Sequence, residues 1–345
     1  MAILGGNKDF FGIDIGTTFV RVVQLDHGSS GASLRAYGAA PISHKLAHSD
    51  SQSDRAELAQ VIRKLLDDSK ISAKTVVTGL STNAIYTSIA EFPDLTSSEM
   101  DKAIRYQAEQ YIPVSVDDVK LDWVEIGKTE QGQKQILLVA GQKKASENLL
   151  NMLESIELDV EVVEPDPIAL TRSLLPLTYG NAALILDMGA NATDLVVVYG
   201  GAPHLIRSIP VGGNALVKSA IQNLGVDEAQ AKDFVFKFGM TKDKLEGQVF
   251  KALQSTVDSL ITEVQKSVKF FLAKNPNQQV EKIILTGGAS SLPQFPLYLA
   301  NNAGLMVEIG NTWTNVTYSP NMTDTLNGIS SQFAVATGLA LRKDF

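Results

Sequence analysis

Apolar residues along the chain recur at two different spacings, and the switches between them mark out the elements. Residues 10–25 and 32–40 have the apolar character of strands in a meander, separated by the turn-rich DHGSSGAS. The polar APISHKLAHSDSQSD reads as a loop, after which Leu58, Val61, Ile62, Leu65 and Leu66 line one face of a helix over 54–69. KTVVTGLS and AIYTSIAEF are strand-like. Thr96 with Glu99 three residues later predicts a capping box, and Met100, Ala103, Ile104, Ala108 and Tyr111 follow on one helical face until Pro113 stops it. VKLDWVEIG and KQILLVAGQ read as strands around KTEQGQ. A helix is expected over 145–157, a strand at LDVEVVEP and another helix over 167–175.

Residues 182–211 then repeat the opening strand-turn-strand pattern, and 215–273 are mostly helical. The longest segment, 245–272, carries an apolar stripe through Val249, Leu253, Leu260, Val264, Val268 and Phe271, which reads as packing. KIILTGGAS is a strand ending in Gly-Gly, and FAVATGLALR a helix of small residues. Two copies of one opening pattern point to a duplicated α/β fold rather than a solenoid.

The repeated unit has its own chemistry. FGIDIGTTFV and LILDMGANATDLVV both run from an apolar strand into Asp-x-Gly and small polar residues. Aligning Asp14 with Asp187 sets Gly16 against Gly189, and Thr17 and Thr18 against Ala190 and Asn191. Glycine allows positive φ and close approach of a ligand, and successive amides in such a turn make a concave anion site. Thr17, Thr18 and Thr193 add hydroxyls. Carboxylates repel phosphate unless a divalent cation lies between them, and Mg²⁺ needs only one or two carboxylates besides waters and phosphates. Asp14 and Asp187 are therefore the candidate metal-facing residues, acting through water. A single Asp-x-Gly is ordinarily a hairpin turn; the pair, with LTGGAS, is what predicts a nucleotide clasp.

Composition narrows the classes. The chain has 345 residues, 44% of them hydrophobic and 20% charged, enough for more than one globular domain. A net charge of -8 and a pI near 5.1 argue against nucleic-acid binding. No apolar run approaches the ~20 residues of a membrane span. MAILGGNKDF lacks the features of a signal peptide, and there are no cysteines for disulfides or thiolate chemistry. A cytoplasmic protein is expected.

At the two turns the chain resembles the actin-like ATPase superfamily. KIILTGGASSLPQF is similar to its adenosine motif, which implies backbone contacts from Gly287, Gly288 and Ala289. IPVGGNALVKSAI is similar to the segment that places Gly212, Gly213 and Asn214 near the phosphates. In DEAQAKDFVFKFG, Glu228 and Lys232 match the acidic-basic pair that contacts ribose, although Gln230 stands where a second acidic residue is usual. MDKAIRYQAEQYIPVSVDDVKLDW and EPDPIALTRSLLP resemble the PilM family of type IV pilus assembly proteins, in order and over nearly the whole chain. The resemblance implies a duplicated actin-like (ribonuclease H-like) two-domain fold with an FtsA-type inserted αβ subdomain. Its expected parts are 8–80 with 136–180, the insert 81–135, 181–214 with 280–345, and a helical part 215–279. It also implies ATP and Mg²⁺ as ligands and a groove beside the insert for the cytoplasmic N-terminal peptide of PilN. Other pilus assembly proteins, and the membrane only through such partners, complete the set.

Hydrolysis would also need a residue that positions water. Glu164 and Asp166, shortly before the second turn, are the candidates, while Asp166 reads more simply as a cap for the helix opening at Pro167. Arg21 stands where actin has a phosphate-contacting lysine, and strand alternation alone would let it face outward. His27, His44, His48 and His204 lack metal-ligand spacing and read as surface residues. Trp123 and Trp313 read either as peptide anchors or as core. The expected behaviour is nucleotide binding with slow turnover at most. An FtsA-like filament protein and a superfamily small-molecule kinase are the alternatives. The first usually ends in an amphipathic membrane helix, which GLALRKDF does not resemble. The second needs an aspartate base with no counterpart evident here.

Overall fold

Phe10–Ile15 (β1), Phe19–Gly28 (β2) and Gly31–Pro41 (β3) form an antiparallel meander, and Thr75–Leu80 (β4) and Asp159–Pro165 (β8) extend it in parallel beyond β1. The computed structural model describes residues 9–29, 31–49, 51–176 and 178–342. Residues 1–8 and 343–345 lie outside them. The described chain divides into two units, residues 1–177, 312–328 and 333–345, and residues 178–311 and 329–332.

In the first unit, Val316–Thr317 (β14) adds to the outer edge of β3, giving the order β14-β3-β2-β1-β4-β8. One face is packed by Gln52–Asp68 (α2) and Lys143–Glu154 (α4), with Phe11, Ile13, Ile62 and Leu153 in the core. Segment 40–54 departs from the expected loop. Ser43 caps a short helix, His44–His48 (α1), and Ser51 accepts the Asp54 amide to start α2. Serines read as loop composition are N-caps, because their hydroxyls satisfy the first free amides of a helix.

The other face takes Asp166–Leu174 (α5) and Ala334–Ala340 (α11). A side chain on Gly338 would collide with the Ala169 backbone of α5, and one on Gly12 with the backbones of Ala336 and Ala340. α11 is made of small residues because its slot admits little else. This corrects the expected grouping of 280–345 with the second half: most of residues 312–342 pack in the first unit. Asn315 donates to the carbonyls of Arg172 and Leu175, and Trp313 is core, its Nε1 donating to Leu326 in Thr323–Ile329 (α10).

The insert is a three-stranded antiparallel sheet in the order β5-β7-β6, from Ile85–Phe92 (β5), Val119–Lys128 (β6) and Lys134–Gln142 (β7). Ser97–Gln107 (α3) covers it through Met100 and Ile104, opened by the Thr96–Glu99 capping box. Its sheet reaches residue 142 rather than 135, since β7 is the central strand.

The second unit repeats the meander. Ala182–Met188 (β9), Thr193–Tyr199 (β10) and Ala202–Ile209 (β11) are antiparallel, and Val280–Thr286 (β12) and Met306–Ile309 (β13) continue in parallel beyond β9. The order β11-β10-β9-β12-β13 matches β3-β2-β1-β4-β8. Gly213–Leu224 (α6), Glu228–Phe238 (α7), Gln248–Lys274 (α8) and Phe295–Ala303 (α9) supply the helical layers. Along the predicted stripe of α8, Val249, Leu253, Leu260, Val264 and Phe271 are buried and Val268 packs partly buried against them.

Candidate functional site

The first turn joins β1 to β2. Gly16 donates its amide to the Phe19 carbonyl at 3.0 Å, and Asp14 lies opposite Arg21 in the ladder. The second turn, between β9 and β10, repeats this: Gly189 donates to Ala192 at 2.9 Å, and Asp187 lies opposite Asp194. Neither glycine has the positive φ expected from the sequence. Space at both is tight, since a side chain would begin 3.1 Å from the Phe19 oxygen at Gly16 and 3.2 Å from the Ala192 oxygen at Gly189.

Arg21 turns into its hairpin rather than outward. Its Nη1 is 3.5 Å from Asp14 Oδ2, with the two side chains 12% and 13% exposed. Its guanidinium also lies 5.2 Å from the centre of the Phe19 ring. Burial raises the Asp14 pKa above the ordinary aspartate value, and the Arg21 charge opposes that rise. Thr17 and Thr18 are half-buried in the same turn.

In the second unit the N-terminus of α6 is tied to the turn. Gly213 and Asn214 donate their amides to the carbonyls of Gly189 and Ala190 at 3.0 and 2.8 Å, and Asn214 Nδ2 donates to Asn191 Oδ1 at 2.8 Å. A Cβ on Gly212 would lie 2.6 Å from the Ala190 oxygen. Thr193, expected to offer a hydroxyl, is fully buried and donates it to the Val211 carbonyl at 2.6 Å. It fastens β10 to the segment entering α6.

The Gly-Gly loop after β12 packs directly on the second turn. Gly287 has φ +89°, and a side chain there would collide with Asp187 Oδ1 and the Met188 backbone. Gly288 opens on free space, and Ala289 is buried. On α7, Glu228 and Lys232 are exposed and four residues apart, so they share a face. Phe236, a further four on and 38% exposed, continues that face, with Cζ 3.6 Å from where a Gly213 side chain would begin. The spacing of four between Lys232 and Phe236 is the part of this face that is visible in the sequence.

The two candidate carboxylates differ. Glu164, at the end of β8, has a side chain only 4% exposed. Arg172 of α5 grips both its oxygens, at 2.6 and 2.9 Å, and Arg342 grips Oε2. Arg172 also donates to the Gly338 carbonyl of α11. Glu164 thus joins β8, α5 and the segment after α11. Asp166 is the first residue of α5; the capping position is Pro165, with no side-chain cap, so the capping reading does not hold. Gly79 of β4 leaves room for the Asp166 carboxyl, with which a side chain at that position would collide.

The remaining candidates are structural. His27 contacts the Ala340 carbonyl at 3.0 Å and stacks on Phe10. His204 packs against Tyr199 and Phe271, and burial lowers its pKa. These two are not the surface residues expected. His44 is exposed, and the side chain of His48 lies outside those described. Trp123 is half-buried on β6, its Nε1 donating to Asp101 of α3 at 2.7 Å. Among the described residues no group of three or more His, Cys, Asp or Glu is placed to hold a metal, and no helix is long and apolar enough to cross a membrane.

Comparisons with known proteins agree with this duplicated architecture. A solved PilM-PilN type IV pilus biogenesis complex contains a chain that is 27% identical and superposes with a TM-score of 0.83, covering 97% of this chain and 98% of that one. MreB5 of Spiroplasma citri bound to AMPPNP has a TM-score of 0.54 at 13% identity, covering 96% of this chain and 95% of that one, a likeness of fold alone. The cell division protein FtsA of Neisseria meningitidis serogroup B is 24% identical over 277 residues, 68% of this chain and 67% of its own. The family model for type IV pilus assembly protein PilM matches residues 12–344, and the chain, with its two actin-like units and inserted αβ sheet, belongs to that family.

Proposed function

We propose that the chain is an ATP-binding scaffold of the type IV pilus inner-membrane assembly complex. In this reading it holds the cytoplasmic N-terminal peptide of a PilN protein and couples nucleotide state to assembly. The observation that carries the nucleotide part is the pair of matched turns, in which Gly16 and Gly189 make the same amide contact three residues on. The donor set fits a phosphate ligand. Arg21 Nε is buried without a hydrogen-bond partner, and Gly288 opens on free space beside the second turn. The bound AMPPNP of MreB5 and the PilM-PilN complex support the choice of ligand and partner by likeness.

In this proposal Gly16, Thr17, Thr18 and Arg21 serve the phosphates from the first turn, and Gly189, Asn191 and Gly212 to Asn214 from the second. Gly287, Gly288 and Ala289 serve the adenosine, and Glu228 and Lys232 the ribose. Asp187, with Asp14 through water, faces Mg²⁺, whose bound form would supply charge neutralisation to the phosphates. Thr193 shapes the second turn without donating to ligand. Asp166 is the residue left to position water, because the Glu164 oxygens are committed to arginines. The protein acts on the cytoplasmic side, reaching the membrane through its partner.

Two assays test this. Pull-down of the full chain with the PilN N-terminal peptide should depend on nucleotide; no binding in any nucleotide state contradicts the partner. Phosphate release should be slow, and rapid turnover abolished by Asp166→Asn would contradict the scaffold reading. The FtsA likeness favours a second reading as a filament former. ATP-dependent pelleting of the purified protein would support it.

A further inference from the structure

Helix α7 carries three phenylalanines, and they do not share one role. Phe234 and Phe238, four residues apart, lie 6.0 Å from each other between ring centres and pack against the core of the second unit, where Val235 is buried. Phe236 stands outside that core and is 38% exposed. It keeps apolar surface in water that its neighbours on the same helix bury. The tip of its ring reaches a place where three other segments meet. A side chain on Gly213 would begin 3.6 Å from Phe236 Cζ, 3.5 Å from Ala289 Cβ and 3.9 Å from the Gly189 oxygen. The ring thus borders the second turn, the start of α6 and the Gly-Gly loop, on the α7 face that also carries Glu228 and Lys232. Gly288, next to Ala289 in that loop, opens on free space.

We propose that Phe236 is the wall on which the base of the bound nucleotide stacks, and the residue that sets a preference for purines over pyrimidines. The proposal rests on the nucleotide reading above and adds base selection to it. Gly213, Gly288 and Ala289 leave room for a flat ligand and offer it no side-chain hydrogen bonds. A base held there gains affinity through its π-face, and covering the exposed ring removes further apolar surface from water. Stacking grows with ring overlap, so a two-ring purine gains more than a one-ring pyrimidine. Every base has a π-face, so selection here is by size rather than by hydrogen-bond pattern. Along α7 the work then divides by position, with Glu228 and Lys232 at the ribose and Phe236, one turn further on, at the base.

The test is isothermal titration of ATP, CTP and inorganic tripolyphosphate, each with Mg²⁺, into the full chain. The proteins are the wild type, Phe236→Ala, Phe236→Leu and Phe236→Tyr, with thermal melts to confirm folding. The wild type should bind ATP more tightly than CTP. Phe236→Ala should lose about tenfold or more in ATP affinity, with Phe236→Leu between it and the wild type. Its tripolyphosphate affinity should change by less than about twofold, because that ligand has no base to stack. Phe236→Tyr keeps the ring and should bind ATP within about twofold of wild type. Undiminished ATP affinity in folded Phe236→Ala, equal losses for ATP and tripolyphosphate, or equal wild-type affinities for ATP and CTP overturn the inference while leaving the nucleotide reading intact. No ATP binding to the folded wild type overturns both. The wild-type comparison of ATP with CTP stands even where a variant fails to fold.

Discussion

Arg21 stands opposite Asp14 in the first hairpin, while the matching place in the second hairpin pairs Asp194 with Asp187. One ladder position thus carries an ion pair in one copy of the fold and two carboxylates in the other. Opposite charges facing each other across a ladder stabilise it and like charges weaken it. Asp14→Asn should therefore destabilise the ligand-free protein by leaving Arg21 largely buried without its partner, by about 2–3 kcal/mol at the low end for a broken buried pair. Urea unfolding of Asp14→Asn beside the wild type checks this.

Gly287 and Gly288 separate backbone demand from open space within one dipeptide. Gly287→Ala meets a left-handed φ and a collision with Asp187, and should cost about 3 kcal/mol or more. Gly288→Ala meets nothing within 4 Å and should stay within about 0.5 kcal/mol of wild type. Calorimetric melting of the two proteins gives the difference.

Glu164 should behave as a structural residue. Glu164→Gln leaves Arg172 and Arg342 without their countercharge, and the expected loss is about 3 kcal/mol, because both arginines keep some exposure. Its melting temperature should fall while ATP affinity at low temperature holds. Asp166→Asn should do the reverse to any hydrolysis present: little change in melting and loss of phosphate release.

His204 supplies a pH dependence. Burial lowers its folded-state pKa below the ordinary value of about 6.5, so between the two values the unfolded chain holds the extra proton. Stability therefore falls as pH falls through that window. His204→Phe should flatten the decline in melting temperature between about pH 7 and 5, and an unchanged slope would contradict the assignment.

What the sequence revealed depended on how local each feature is. The Thr96–Glu99 capping box and each Asp-x-Gly turn are made by residues only a few positions apart, and the box and both hairpin turns form. The bond from Arg342 to Glu164 spans 178 positions, and no short pattern announces it. The C-terminal helix was legible as a helix of small residues, but its place was not. Only the tertiary fit of Gly338 against Ala169 shows that it belongs with the first unit. Ser43 and Ser51 were misread because the same hydroxyl serves a loop or a cap, and the following backbone decides which. At the turn glycines Gly16 and Gly189 φ is not positive, and a nearby carbonyl leaves little room for a side chain.

The most direct measurement is isothermal titration of ATP with Mg²⁺ into the full chain, beside Arg21→Gln and Gly212→Val, each first shown to be folded by circular dichroism. The two-turn account predicts saturable binding at one site per chain in the wild type and clear weakening by a change in either turn. Absence of binding to the folded wild type, or wild-type affinity in both variants, would contradict it.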